Sequence, residues 1–227
     1  MSKIAWIDLE TTGLFAKKNG VVQIACKIER DGRIIDKFVS YVKPLPDDEI
    51  AQQALDVNGL TREQLLTFPE PKLVLIKFKQ FLERHMNKYD RTDKFVIGGY
   101  NTKFDMDFLR EWFKKCNEKY FGSYFYWLEI DVMRHAVMYY TLTNQALPTG
   151  KGQMTLPVVA ERHGIKVIDA HDAEADITMT RELFHRLNSK IVKEYVYATD
   201  RYLPGMQSER ISDEGNEQST DGNSTDL

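Results

Sequence analysis

The chain has only two cysteines in 227 residues, Cys26 and Cys116. They stand far apart and in no Cys-x-x-Cys pattern, so a redox pair is the poorer reading and two small core residues the better one. No apolar run approaches the length of a membrane span, and no cationic leader precedes an apolar stretch at the start. A soluble, cytoplasmic, reducing setting is the default expectation. There is no basic surplus either: 31 Lys and Arg stand against 34 Asp and Glu, a formal net charge of −3. Bulk charge therefore argues neither for nor against a nucleic-acid partner. Gly150-Lys151-Gly152 lacks the spacing and the following Ser or Thr of a phosphate-binding loop, so no nucleoside triphosphate site is implied. No internal repeat or linker divides the body.

Hydrophobic residues make up 42% of the chain, enough for one sizeable core. The acid excess is local. Residues 213–227 hold five acids and no Lys or Arg, so the body without them is slightly basic. From about Gln207 the composition is Ser, Asp, Gly, Asn and Glu with almost no large apolar side chain. Such a segment cannot bury enough surface to offset its ordering entropy. The sequence thus predicts one domain over residues 1–206 and an unfolded acidic tail over 207–227.

Residues 3–9 read as a buried strand, and 21–28 as a second rich in β-branched residues. Asp31-Gly32 marks a tight turn before a third strand over 34–42, which points to antiparallel pairing. Helical spacing then takes over at 50–56, after a capping box at Thr61 and Gln64, and along 72–86. A short buried strand at 95–99 leads into a helix over 104–116. A fifth strand is expected at 126–130, with Asp131 as N-cap of a helix over 132–141. Helices at 156–163 and 172–187 follow, and 191–197 extends the helical end. Antiparallel strands followed by alternation of strand and helix specify a mixed α/β sheet covered by helices.

Three places carry chemistry. Asp8 and Glu10 are two apart in a strand, so both carboxylates project from one face, roughly 6.5–7 Å apart at the backbone. Like charges this close repel unless a cation lies between them, and a pair of divalent ions about 3.5–4 Å apart fits that gap. A Glu10 that simply turns to solvent is the plainer alternative. Asp105 follows the strand at 95–99 in the first turn of a helix, at the edge where α/β sheets place ligands. The plainer reading there is an acid favoured by the helix dipole, which suits Asp107 better. Asp176 projects from the start of the 172–187 helix, with Ala173 and Ala175 allowing close packing. His171 just before it suits general-base work near neutral pH. An N-capping acid cluster beside a solvent histidine is the alternative.

In order, Asp8-Leu-Glu10-Thr-Thr-Gly-Leu14, Asn101-x-x-Phe-Asp105-x-x-Phe-Leu109 and His171-x4-Asp176 resemble the three exonuclease motifs of the DEDDh (DnaQ-like) family, which includes the proofreading subunit of bacterial DNA polymerase III. The segment Val57-Asn-Gly-Leu-Thr61 is similar to the family's connecting motif. Each motif alone is weak, and three in order across residues 4–187 are strong. The resemblance implies a ribonuclease H-like sheet of five strands, the first three antiparallel, flanked by helices. It also implies two Mg²⁺ or Mn²⁺ ions held by Asp8, Glu10, Asp105 and Asp176 around the scissile phosphate, with His171 taking the proton of the attacking water. Leu14 and the backbone around Thr11 and Thr12, with Asn101, are the implied substrate contacts. The expected activity is 3′→5′ hydrolysis of DNA from a free, single-stranded 3′ end, releasing nucleoside 5′-monophosphates. An RNA-trimming exoribonuclease and a non-catalytic polymerase-associated binding module are the alternatives. A polymerase or replication protein is a candidate partner, and no membrane is expected.

Lys17, Lys18 and Lys151 read as solvated lysines that could meet phosphates. The aromatic run at Tyr120, Phe121 and 124–127 could stack on bases, but packing between helix and strand is the expected use. His85, His135, His163 and His185 show no ligand-like spacing.

Overall fold

The computed structural model describes residues 3–168 and 172–202, with side chains through Lys193. The described residues through Ile191 fall in one compact unit and those from Val192 onward in another. The acidic tail and His171 lie outside the described residues.

Five strands build one sheet: β1 (Lys3–Thr11), β2 (Val21–Arg30), β3 (Arg33–Tyr41), β4 (Phe95–Gly99) and β5 (Phe125–Asp131). Their spatial order is β3-β2-β1-β4-β5. The first three pair antiparallel, whereas β4 and β5 run parallel to β1. The mixed sheet expected from the sequence is therefore present. Asp31 and Gly32 close the β2–β3 hairpin with φ of 52° and 73°, the paired left-handed geometry that matches strand twist.

Alternation along β1 sends its side chains to two cores. Ala5, Ile7 and Leu9 join the cluster built on α3 (Pro71–Glu83) and α4 (Thr102–Lys115). Trp6 turns to the other face, with α6 (Val132–Leu142), α7 (Leu156–Arg162) and α8 (Ala173–Tyr202). Asp8 and Glu10 share Trp6's side by the same two-residue period, so they meet the start of α8 where the apolar contact ends. Two short helices, α1 (Gln52–Asn58) and α2 (Arg62–Thr67), follow β3. The expected capping box is formed: Thr61 accepts from Gln64 N while the Gln64 side chain accepts from Thr61 N.

The structure corrects some sequence expectations. A four-residue helix, α5 (Phe121–Tyr124), occupies part of the aromatic run. Phe125 and Tyr124 pack in the core as expected, but Trp127 and Tyr120 are exposed. Cys26 is fully buried, while Cys116 is only half-buried at the end of α4. Among the described residues no helix is long and apolar enough to cross a membrane.

Candidate active site

Carboxylate oxygens of Asp8, Glu10 and Asp176 lie within 4.8 Å of one another. Two come from the end of β1 and one from the first turn of α8. Asp105, buried in the first turn of α4, adds a fourth carboxylate and accepts a hydrogen bond from Leu9 N at 3.0 Å. That bond fixes α4 to the strand between Asp8 and Glu10. The structure thus brings together all four acids picked from the sequence.

The electrostatics of this cluster are unfavourable as they stand. Burial pushes the Asp8 carboxyl well above the usual carboxylate range, and the neighbouring charges of Asp105, Asp176, Glu10 and Asp172 push it further. Burial and the charges of Asp176 and Asp172 raise Glu10 to about 7. Burial also raises Asp105, outweighing the two backbone hydrogen bonds that favour its ionised form. Among the described residues no lysine or arginine pairs with Asp8, Glu10 or Asp105. Converging carboxylate oxygens from Asp8, Glu10 and Asp176, partly shielded from water, are the donor chemistry that hard divalent cations take. The residues present fit a metal centre.

The other acids of the 172–176 stretch sort differently. Asp172 caps α8, accepting from Ala175 N at 3.0 Å, and also takes a 3.4 Å bond from the Gln23 amide. Glu174 faces Lys27 and Lys37 at 3.3 and 2.8 Å. Asp107 pairs with Lys103 at 2.7 Å on the exposed face of α4, and it is Asp105, not Asp107, that lies in the helix's first turn. Asp131 caps α6 through Met133 N and Arg134 N, and the same oxygen accepts from Asn101 N at 3.2 Å. This link holds Asn101 in a left-handed conformation, φ 59°, with its side chain exposed at the entry to α4. The capping role of Asp131 was legible in the sequence; its link to the site was not.

Beside Glu10 lies a cleft of about 590 Å³, lined among others by Leu14, Phe15, Val57 and Asn58. Thr11 and Thr12 have buried side chains committed to the loop itself: Thr11 Oγ1 donates to Gly13 O, and Thr12 Oγ1 donates to Glu49 O and accepts from Gly20 N. What they offer a ligand is backbone. Asn58 Nδ2 donates to Thr11 O at 3.0 Å, which joins the Val57–Thr61 segment to the first motif.

A residue that the sequence reading missed organises this loop. The buried Asn19 accepts from Phe15 N at 2.9 Å and donates to Glu49 O at 2.8 Å. A Cβ on Gly13 would stand 2.5 Å from the Asn19 amide, so only glycine lets the chain close over it. The outcome is a tight turn that exposes Leu14 to 77% and Phe15 to 68% at the mouth of the cleft.

The model of the exonuclease family RNase_T matches residues 5–184. The PolC-type DNA polymerase III of Thermotoga petrophila is 27% identical over 180 residues, 79% of this chain and 11% of that protein. The 3′-5′ exonuclease DinG of Staphylococcus aureus (strain MRSA252) is 28% identical over 183 residues, 81% of this chain and 18% of that protein. The chain therefore spans less than a fifth of the length of these curated relatives. Escherichia coli exonuclease I in complex with a dT13 oligonucleotide superposes with a TM-score of 0.72 at 20% identity, over 87% of this chain and 43% of that one, a likeness of fold.

Proposed function

The chain belongs to this exonuclease family, and from that membership we propose that it is an active 3′→5′ exonuclease that hydrolyses single-stranded DNA from its 3′ end and releases nucleoside 5′-monophosphates. The observation that carries the proposal is the convergence of Asp8, Glu10 and Asp176 within 4.8 Å, with Asp105 anchored beside them. A binding module has no use for buried acids that repel one another and the phosphate alike. DNA is favoured over RNA because the curated relatives include a DNA polymerase and a solved neighbour carries an oligothymidylate. The exonuclease domain is assigned to residues 1–206 and the acidic tail to 207–227.

Asp8, Glu10, Asp105 and Asp176 would hold two divalent ions, Mg²⁺ or Mn²⁺, which when bound make a water more acidic and offset charge on the leaving 3′-oxygen. The chain's own groups supply the rest. Leu14, the backbone at Thr11 and Thr12, and Asn101 hold the terminal nucleotide with its phosphate at the acids. The His171 imidazole takes the proton of the attacking water as the new P–O bond forms and the bond to the 3′-oxygen breaks.

Digestion of matched 5′-labelled single-stranded DNA and RNA oligomers, with Mg²⁺, Mn²⁺ or EDTA, tests this beside His171→Ala. A DNA ladder that shortens from the 3′ end, needs metal and slows by about 10²–10⁴-fold in the variant is expected. A faster RNA ladder would move the substrate to RNA. No cleavage of either polymer by folded, metal-supplied protein would return the chain to the binding-module reading.

A further inference from the structure

The cleft at Glu10 continues outward. A second hollow of about 530 Å³ shares Leu14, Phe15 and Phe104 with it and adds Lys17, Lys18 and Arg110. A third of about 380 Å³ shares Asp107 and Arg110 with the second and lies between α4 and β5, against Lys103, Trp127 and Leu128. Through these shared walls the three hollows make one path, from the carboxylates across the outer face of α4 to the edge of the sheet.

Trp127 ends that path. It is 79% exposed, with Leu128 beside it at 52%, while Trp6 and Trp112 are buried. Its exposure has a backbone cause. Phe95 of β4 faces Phe125 of β5, yet Ile97 faces Glu129, so Val96 alone stands against three residues of β5. The edge strand bulges outward at Trp127, and bulges of this kind re-aim a side chain. The phenol of Tyr126 donates to Thr92 O and pins the start of the bulge. Trp127 stacks on no aromatic ring among the described residues, so the fold holds it outward without using it.

We propose that this path carries the single strand upstream of the cleaved end, with bases stacking on Phe15 and Trp127 and phosphates meeting Lys17, Lys18, Lys103 and Arg110. The inference rests on the exonuclease reading and extends it to a stretch of several nucleotides. Aromatic faces interleaved with cations are the chemistry of sequence-tolerant single-strand binding. Acids along the path are partly answered: Asp107 pairs with Lys103, Glu111 with Lys114, and Glu129 lies 3.6 Å from Arg134. Lys18 lies 3.6 Å from Glu49, whereas Lys17 and Arg110 pair with no carboxylate among the described residues. A second copy adding strands to β5 is disfavoured, because the bulge interrupts the ladder such pairing needs.

The test uses the full chain carrying Asp8→Asn, in Mg²⁺, so that bound strands survive. An oligothymidylate of about 12 nucleotides and a trinucleotide are titrated while tryptophan fluorescence and the anisotropy of a labelled oligomer are read. Trp127 is the exposed one of the three tryptophans, so its quenching reports contact. The longer oligomer is expected to bind more tightly and to quench. Adding Trp127→Ala should weaken its binding about tenfold and leave the trinucleotide's affinity alone. Adding Trp127→Phe should restore affinity to within about threefold and abolish the quenching, since either ring can stack.

Equal affinity of Trp127→Ala for the long oligomer, or quenching that persists in Trp127→Phe, overturns the path. So does self-association in sedimentation that Trp127→Ala abolishes while strand affinity stays the same. If the wild-type chain cleaves oligomers but binds both lengths equally, the path alone falls. If no oligomer is bound or cleaved, the exonuclease reading falls with it.

Discussion

Asn19 ties Phe15 N, Glu49 O and, at 3.5 Å, Thr12 O through one buried amide. Asn19→Ala leaves those backbone groups without it in a loop too tight to admit much water, an expected cost of about 1–3 kcal/mol. The Leu14–Phe15 turn would then lose its fixed position at the mouth of the cleft. Because Asn19 touches none of the acids, the expected kinetic effect is a KM several times higher with kcat less affected. Thermal melts and initial rates on a short DNA oligomer check it. An unchanged melting temperature with an unchanged KM would show that the turn holds itself. Asn19 escaped sequence reading because nothing local marks it: its partners lie on both sides of it in the chain, up to 30 residues away. Strand period and helix-start position left Asp8, Glu10, Asp105 and Asp176 each with a plainer alternative, and the four were legible as a set through the resemblance of three motifs in order.

At the scale of elements, His163 shows how the helices of the second core depend on an uncharged group. It follows α7, is buried, and its Nε2 lies 3.2 Å from Tyr140 Oη on α6. Its Nδ1 lies 3.2 Å from Lys190 Nζ on α8. An ammonium can only donate, so Nδ1 accepts and Nε2 carries the proton toward Tyr140. Burial, with the charges of Lys190 and Arg186, pushes the imidazole down to about 4. Between pH 4 and the ordinary value near 6.5 the unfolded chain binds a proton that the folded chain does not. Stability is therefore full above about 6.5 and falls on acidification, by at most about 1.4 kcal/mol per pH unit from this residue. Glu10, raised to about 7, contributes a slope of opposite sign over the same range. The check is therefore the difference between wild type and His163→Gln in denaturant melts from pH 7 to 5, the wild type losing more stability on acidification. An equal slope in the variant would assign the acid sensitivity elsewhere. The elements that meet at His163 were readable from helical periodicity, whereas its charge state was not, since Lys190 and Tyr140 become its neighbours only through tertiary packing. The same limit hid α5 and the bulge at Trp127. Both lie in one aromatic run, and pairing with β4 decides which rings face in.

For the whole molecule, the acids couple elements far apart in sequence: β1 near the start, α4 in the middle and α8 late in the chain. Their repulsion is a cost borne by the metal-free fold, since Asp8 and Glu10 are both pushed above their ordinary values. A cation bound there would answer the repulsion and bind only the folded state, so its free energy adds to stability. At about one hundred times its Kd an ion adds roughly 2.7 kcal/mol. For a unit of this size that is about 5–10 °C in melting temperature. Wild-type protein is thus expected to melt at lower temperature in EDTA and to gain by about that amount at about one hundred times the Kd of Mn²⁺, with half the gain at roughly nine times the Kd. Asp8→Asn removes one charge from the crowded set. It should melt higher than wild type in EDTA, lose most of the gain with Mn²⁺, and lose essentially all turnover. The opposite signs separate a metal-binding cluster from a structural one, because acids that merely held β1 to α8 would make the variant less stable in EDTA and leave the response to metal intact. A variant that melts lower in EDTA, or a wild type indifferent to metal, would sink this account of the cluster.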